Sequence, residues 1–305
     1  MKKKVDIILV TYNQEPYIRQ ALDGVLMQRL DSDIQVRVIV ADDCSTDNTV
    51  AIIREHLGAT QTTLDGGKNA TVVYLPSDTN MGHVHNYQRA FAACGGDYVA
   101  IIEGDDYWTR PSHIQDHINF LEAHKECVLT TRRPVWYYEE EQQFDMRENT
   151  NLNGAEFIPI SISDEAYDNR ITNLSSCVVR GEAIRGLNER IYTSSILDWA
   201  MYIDLYRFGL LYVLPGTSNV YRAKKSGIFS GLDEAAQHQA RVQYLTDLAN
   251  IFPQYASRFN QAKEDLLRLD KPKSKSRRFA ECLLMPFAKC HRFVKKIKNV
   301  YHQIR

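Results

Sequence analysis

A short apolar run that ends in a cluster of acids places the tightest limit on the fold of this chain. Residues 98–102 (YVAII) follow a glycine pair, and Glu103, Asp105 and Asp106 come directly after the run. A run this short, bounded by turn residues, is typical of a buried central strand in a parallel sheet. The acids would then lie at the carboxyl end of a strand, where open α/β sheets bind ligands. The sequence predicts an oxygen-rich cation site there, although a solvated loop before the next helix explains the acids alone equally well.

Three earlier apolar runs repeat this pattern. Residues 5–10 (VDIILV), 36–41 (VRVIVA) and 71–75 (TVVYL) predict strands, and segments with helical periodicity separate them. Such alternation predicts βαβ units with right-handed crossovers and a twisted, mostly parallel central sheet flanked by helices. Residues 58–70, which are polar and rich in threonine, predict a surface loop.

The second half of the chain mixes strands with helices. Helical periodicity is present at residues 197–208 and again at 233–269. Residues 135–162 are aromatic and acidic without clear periodicity, which predicts an irregular segment. The expected strands are residues 128–131, 173–180, 210–214 and 219–222.

Composition argues against several classes of function. The 305 residues are 44% hydrophobic with a formal net charge of −1, which indicates a folded chain and argues against nucleic acid as a main partner. The six cysteines form no CxxC pair, so we expect reduced thiols in the cytoplasm. No window holds the roughly 18 apolar residues that a membrane span requires. We therefore expect a cytoplasmic protein, either soluble or bound peripherally to a membrane.

Four polar loops follow the four predicted strands, and on a parallel sheet they would meet at one edge. The chain has neither a glycine-rich dinucleotide fingerprint nor a phosphate-binding P-loop. Carboxylates in these loops can bind a base or ribose, Tyr12 can stack on a ring, and Asp105 with Asp106 can hold a divalent cation against a diphosphate. Because the ligands are oxygens, Mg²⁺ or Mn²⁺ is favoured over Zn²⁺. The loops are residues 11–15, 42–45, 80–82 and 103–106.

Four blocks of the sequence, in order and at suitable spacing, resemble the family 2 glycosyltransferases, which have the GT-A fold. The resemblance covers roughly residues 5–230. It implies an α/β fold with a Rossmann-like, mostly parallel central sheet. The blocks are VDIILVTYNQEPYIRQALDGVLMQ, VRVIVADDCSTDNT, NMGHVHNYQRAFAACGGDYVAIIEGDDYW and LDWAMYIDLYRFGLLYVLPGTSNVYR.

The resemblance implies roles at individual positions. Glu103, Asp105 and Asp106 cover the metal-binding DxD motif of the family, which here begins with Glu, so which two acids contact the metal stays open; Asp105 and Asp106 are favoured. Asp198 matches the catalytic base. Lys224 stands where related members often carry His, which suggests a diphosphate contact. The expected nucleotide-sugar ligands are Thr11, Tyr12, Asn13, Glu15, Asp42, Asp43, Asn80, Asn86, Asp105 and Arg222.

Structural roles compete with several of these assignments. Asp198 could be an ordinary acid at a helix N-terminus, where the helix dipole favours negative charge. Asp42 and Asp43 suit turn-forming and capping roles as well as nucleotide binding. Arg222 fits a structural ion pair as well as a diphosphate contact.

The implied activity is metal-dependent, inverting transfer of a sugar from a nucleotide-diphosphate sugar to a hydroxyl of a glycan or lipid-linked acceptor, as in cell-surface polysaccharide synthesis. The implied cofactor is Mn²⁺ or Mg²⁺. There are two alternatives: a catalytically silent nucleotide-sugar-binding or assembly subunit, and a nucleotidyltransferase. The expected layout is a glycosyltransferase domain at 1–230, with a donor half to about residue 110, a helical extension at 231–270 and a basic tail at 271–305.

The tail carries a charge pattern distinct from the rest of the chain. Residues 271–305 contain eleven basic residues and one acid. Their apolar residues recur at alternating spacings of four and three, which predicts a cationic amphipathic helix that suits the anionic inner face of a cell membrane. Docking on the acidic body of the protein and a two-helix oligomer contact are the alternatives. The apolar stripe is Leu283, Phe287, Cys290, Val294, Ile297, Tyr301 and Ile304.

We expect the full chain to sediment with liposomes that contain anionic lipid, and a chain without residues 271–305 to stay in the supernatant. Each Lys or Arg near an anionic surface contributes about 1 kcal/mol to binding. Co-sedimentation at low and high salt measures the effect. Equal pelleting of both chains would contradict the membrane hypothesis.

Overall fold

The computed structural model describes residues 2–146 and 152–269, and its first half alternates strands with helices as predicted. The basic tail lies outside the described residues. The elements of this half are β1 (Lys3–Thr11), α1 (Ile18–Leu26), β2 (Ile34–Asp42), α2 (Thr49–Leu57), β3 (Gln61–Leu64), β4 (Lys68–Leu75), α3 (His83–Ala92), β5 (Tyr98–Glu103), β6 (Tyr107–Trp108) and α4 (His113–Ala123).

The second half contains shorter strands and the last helices of the described chain. Helical periodicity read at 233–269 forms two helices, because Pro253 opens a 3-10 turn that separates them. The elements are β7 (Cys127–Arg132), β8 (Val135–Tyr138), β9 (Gln143–Asp145), β10 (Ile158–Ile160), α5 (Ile162–Glu165), β11 (Val178–Arg180), α6 (Gly181–Arg185), α7 (Leu197–Leu205), β12 (Leu210–Leu214), β13 (Asn219–Ala223), α8 (Glu234–Ile251) and α9 (Ala256–Leu269).

A large sheet forms the centre of the molecule. Among the described residues it has nine strands in the order β10-β12-β7-β11-β5-β1-β2-β4-β3. The strands β5, β1, β2 and β4 run parallel, as predicted from their apolar runs. β11 lies between β5 and β7 and is antiparallel to both, and the edge strand β3 is antiparallel to β4, so a parallel centre is flanked by antiparallel pairs.

Helices cover both faces of the sheet because its central strands are apolar on both sides. Along β1, Ile7 and Leu9 pack on one face with α1, α2 and α4, whereas Ile8 and Val10 pack on the other with α3 and α7. α8 and α9 join this second core, where Phe259 is fully buried. The carboxyl ends of β1, β2, β4 and β5 are left uncovered at one edge, as the sequence predicted.

Two segments expected to be irregular form strands. Residues 61–75 make a β3–β4 hairpin with Gly66 and Gly67 at positive φ in the turn, so the surface loop predicted at 58–70 was wrong. Residues 135–145 form β8 and β9 in a second sheet of order β6-β13-β8-β9. The second miss depends on a distant partner: β8 pairs with β13, more than eighty residues later, and no local periodicity reports such pairing.

Within residues 2–146 and 152–269, no helix is long and apolar enough to cross a membrane.

We expect Gly181→Ala to lower the free energy of unfolding by about 1–3 kcal/mol or more, because overpacking at a fixed backbone contact forces a shift. A Cβ at Gly181 would lie 1.9 Å from the carbonyl oxygen of Gly96. Gly95→Ala is the matched control, since its Cβ would meet only Arg37 Nη2 at 3.6 Å. Urea denaturation of both variants measures the difference, and equal stability would contradict this packing.

Candidate active site

A cavity of about 1290 Å³ opens at the carboxyl edge of the parallel strands. The loops after β1, β2, β4 and β5 form one wall, and α7, α8 and α9 contribute to the other. Of the residues predicted from the sequence, those that line it are Thr11, Tyr12, Asn13, Asp43, Asn80, Asn86, Glu103, Asp105, Asp198 and Arg222.

The loops after β1 and β2 are tied together by side chains that sequence reasoning assigned to the nucleotide. Asn13 Oδ1 accepts a hydrogen bond of 2.8 Å from the backbone N–H of Thr46. Glu15 accepts bonds of 3.0 and 2.8 Å from the backbone N–H and Nδ2 of Asn48. These bonds hold the two loops in one arrangement and leave the Tyr12 ring exposed at the cavity mouth.

Asp43 and Asn86 support the strand-end wall of the cavity by binding backbone groups of its loops. The buried Asp43 carboxylate accepts hydrogen bonds from the backbone N–H groups of Met81 and Gly82, at 3.0 and 2.7 Å. Asn86 is also buried, and its Nδ2 donates to the carbonyl oxygen of Ala41 at 2.8 Å. The loop at 80–82 is thereby fixed against the end of β2.

The three acids after β5 have different surroundings. Glu103 accepts a hydrogen bond of 2.9 Å from the Tyr87 hydroxyl, and burial, followed by the charges of Asp106 and Asp105, raises its pKa well above the usual value. Burial and the Asp105 charge also raise the pKa of Asp106. Gly104 brings this loop against β1, because a Cβ there would lie 2.9 Å from Thr11 Oγ1.

Asp106 is bound inside the protein. Its Oδ1 accepts from the backbone N–H of Arg222 and its Oδ2 from Asn173 Nδ2, both at 2.9 Å. Asp105 instead faces the cavity, with its side chain 21% exposed. Of the two aspartates favoured as a metal pair, only Asp105 therefore presents its carboxylate to the cavity.

The structure shows for Arg222 the ion pair that the sequence allowed, and it places Lys224 at the cavity. The Arg222 guanidinium contacts the Glu139 carboxylate, donates to the Asp105 carbonyl oxygen at 2.9 Å and lies over the Tyr17 ring. It therefore braces the acidic loop. Lys224 is the cation beside the cavity-facing acid: its Nζ lies 2.8 Å from Asp105 Oδ2.

Asp198 stands at the first turn of α7, on the cavity wall. Its Oδ1 accepts a hydrogen bond of 2.7 Å from the Trp199 backbone N–H, and Asn169 Nδ2 lies 3.4 Å from its Oδ2. Burial raises the pKa of Asp198, which makes its carboxylate a stronger base than a solvated aspartate. Sequence reasoning did not find Asn169, since nothing in its local pattern marks it.

The structure does not bring Glu15, Asp42 or Asp106 to the cavity wall. Their carboxylates are engaged by neighbouring loops; that of Asp42 accepts from the Ser45 backbone N–H at 2.8 Å. Residues that sequence reasoning did not single out contribute instead, among them several aromatic side chains that follow β7 in the chain. These are Trp136, Tyr167, Tyr221 and Tyr244.

The oxygen ligands beside the cavity fit a hard divalent ion only in part. In the described ranges, no group of three or more His, Cys, Asp and Glu side chains is placed to hold a metal. Mg²⁺ and Mn²⁺, however, often bind through one or two carboxylates together with substrate phosphates and water. Asp105 fits that role, because its carboxylate faces the cavity.

The sequence and the fold of this chain are similar to those of known proteins. The model of the family described as Glycosyl transferase family 2 matches residues 6–178, more than half of the chain. An uncharacterized protein of Mycobacterium tuberculosis is 29% identical over 232 residues, which cover 74% of this chain and 60% of that protein. The chain thus spans about 60% of the length of this relative.

Another relative is the poly(ribitol-phosphate) beta-N-acetylglucosaminyltransferase TarS of Staphylococcus aureus, 29% identical over 127 residues, or 41% of this chain and 20% of TarS. Residues 1–349 of TarS with UDP-GlcNAc superpose with a TM-score of 0.59 at 18% identity, over 87% of this chain and 71% of the other. The mannosyltransferase PcManGT of Pyrobaculum calidifontis, solved with GDP-Man and Mn²⁺, gives 0.59 at 16% identity, over 94% and 83%. These likenesses confirm the GT-A fold.

We expect the Asp198 carboxyl to titrate above the pKa of an ordinary aspartate, about 3.9, because burial disfavours its charged form. A pH titration followed by ¹³C-carboxyl NMR measures the midpoint, and Asp198→Asn identifies the resonance by its loss. A midpoint at or below 3.9 would contradict the proposed environment of this side chain.

Proposed function

The chain belongs to glycosyl transferase family 2, and on that premise we propose that it transfers a sugar from a nucleotide-diphosphate sugar to an acceptor hydroxyl, with inversion at the anomeric carbon. The observation that carries the proposal is a shared cavity: Asp105, beside the expected diphosphate, and Asp198, the expected base, both line it. Asp198 comes from α7, outside the parallel strands that present the donor loops.

The donor half would hold the nucleotide at the strand ends. Tyr12 offers an exposed ring for stacking against the base, and Thr11, Asn13 and Asp43 surround it with hydrogen-bonding groups. Because their loops are tied together by hydrogen bonds, little ordering is required on binding. This preorganisation favours a rigid nucleotide pocket.

A divalent ion is the cofactor that the family suggests, and Mn²⁺ is present in the structure of PcManGT. In this chain Asp105 would hold it. When bound, such an ion supplies positive charge that offsets the charge building on the departing diphosphate. Asp106 would support the loop rather than bind the ion, because both of its carboxylate oxygens are already engaged; Glu103, with one oxygen bound by Tyr87, would share that support.

Asp198 would act as general base. Its carboxylate takes the proton of the acceptor hydroxyl while that oxygen forms a bond to the anomeric carbon and the bond from that carbon to the diphosphate oxygen breaks. The raised pKa matches this task, because a stronger base accepts the proton more readily, provided that it is ionised at the working pH. Asn169, near Oδ2, would keep the carboxylate turned to the cavity.

The acceptor would be a glycan or a lipid-linked glycan used in cell-surface polysaccharide synthesis. Aromatic side chains line this part of the cavity, and the Trp136 and Tyr221 rings meet edge to face with centroids 4.5 Å apart. Sugar rings pack on such apolar faces. The name of TarS, a poly(ribitol-phosphate) beta-N-acetylglucosaminyltransferase, supports a polymeric acceptor. Peripheral binding to the inner membrane face through residues 271–305 would bring the enzyme to a lipid-linked acceptor.

We expect Asp198→Asn to lower the transfer rate by about 10²- to 10⁴-fold, the usual contribution of a general base, with nucleotide affinity nearly unchanged. Asp33→Asn, an exposed aspartate remote from the cavity, is the matched control. Transfer is measured with a panel of nucleotide sugars and acceptors, and NMR of the product reports its anomeric configuration. No transfer by the unmutated protein with any donor would favour a silent binding subunit, and retained configuration would overturn inversion.

A further inference from the structure

Lys224 holds the cavity-facing carboxylate of the acidic loop. Its Nζ lies 2.8 Å from Asp105 Oδ2, 3.2 Å from Gln14 Oε1 and 4.3 Å from the centre of the Tyr17 ring. The side chain is only 9% exposed, so this is a desolvated ion pair of a kind stronger than a surface pair. The ammonium and the carboxylate both line the cavity.

The acidic loop does not require Lys224 for its internal structure. Arg222 already binds the Asp105 carbonyl oxygen, and the Arg222 backbone N–H binds Asp106. The remaining contact, from Lys224 to the Asp105 carboxylate, is made at the cavity surface. It therefore lies where a nucleotide diphosphate is expected to bind under the proposed function.

A divalent ion and an ammonium group cannot both sit closely on the same carboxylate without strong repulsion, because the effective dielectric constant of a half-buried site is low. Asp105 alone also provides too few ligands for a metal ion, and no cluster of three metal-binding side chains occurs in residues 2–146 and 152–269. A diphosphate would supply both the missing oxygens and enough negative charge for two cations.

We propose that Lys224 is a displaceable counter-ion of Asp105. In the donor-free protein it occupies the carboxylate and keeps divalent ions off; when nucleotide binds, the ammonium moves from Asp105 to the diphosphate and leaves the carboxylate to the metal. Nucleotide and metal then bind with positive coupling, which is reciprocal by thermodynamic necessity. The inference rests on the proposed use of a nucleotide-diphosphate donor.

The proposal requires Lys224→Met to change two affinities in opposite directions. Metal alone should bind more tightly, because Asp105 has lost its competitor. Nucleoside diphosphate in the presence of metal should bind more weakly, because one charge-assisted hydrogen bond to the diphosphate is lost. Each change should be on the order of tenfold. A lysine that only stabilised the loop would not separate the two affinities in this way.

Titration calorimetry on the full chain tests this with MnCl₂ alone, and with UDP, GDP, ADP and CDP in Mn²⁺ or in chelator. In the unmutated protein we expect weak Mn²⁺ binding that one nucleotide strengthens. Lys225→Met is the matched control, because it removes the same charge from a neighbouring residue. Lys225 is exposed and does not line the cavity, so both affinities should be unchanged. Melting temperatures confirm that each variant is folded, and Lys224→Gln replaces Lys224→Met if the latter is not.

The outcomes separate the two proposals. If no nucleoside diphosphate binds the unmutated protein, the proposed donor class fails. If a nucleotide binds but the Lys224 variants leave both affinities unchanged, or shift them in the same direction, the counter-ion proposal is overturned while the proposed function stands. Opposite shifts in the Lys224 variants, absent from Lys225→Met, support it.

Discussion

Backbone pairing of β1 with its two neighbours is the constraint on which the site depends. β1 runs parallel between β2 and β5, and the register sets Thr11 beside Asp42 and Val10 beside Glu103. The four residues before Thr11, Asp42 and Glu103 are apolar in each strand, so three polar loops begin at the same level of the sheet. Asn86 then joins the ends of β1 and β2 through their carbonyl oxygens. The position of the donor loops thus follows from the packing of a hydrophobic sheet.

Electrostatics divides the acids at this edge into different tasks. Burial raises the pKa values of Glu103 and Asp106, which lie within hydrogen-bond networks, whereas the Asp105 carboxylate faces the cavity. Asp198 occupies a separate position on α7, where burial raises its pKa. Under the proposed function, loop support would fall to Glu103 and Asp106, cation binding to Asp105 and proton transfer to Asp198, each according to its surroundings.

The parallel core and most of the cavity could be predicted from the sequence because their signals are local. Apolar runs gave β1, β2, β4 and β5, and strand-end polar residues such as Tyr12 and Asp105 line the cavity as expected. Residues 135–145 could not be predicted as strands, since β8 depends on pairing with β13. Arg222 and Lys224 have the same charge and lie two positions apart, and only the structure shows that Arg222 contacts Glu139 and the Asp105 carbonyl oxygen whereas Lys224 contacts the Asp105 carboxylate.

The helices α8 and α9 give the cavity a composite origin. Arg241, Tyr244 and Asp265 lie on its wall, yet all three follow residue 178, where the match to the family model ends. The strand-end loops of the cavity are therefore built from residues that the family model matches, whereas these three residues lie beyond that match. A change of side chain on α8 or α9 can therefore reshape this wall while the strand-end loops stay as they are.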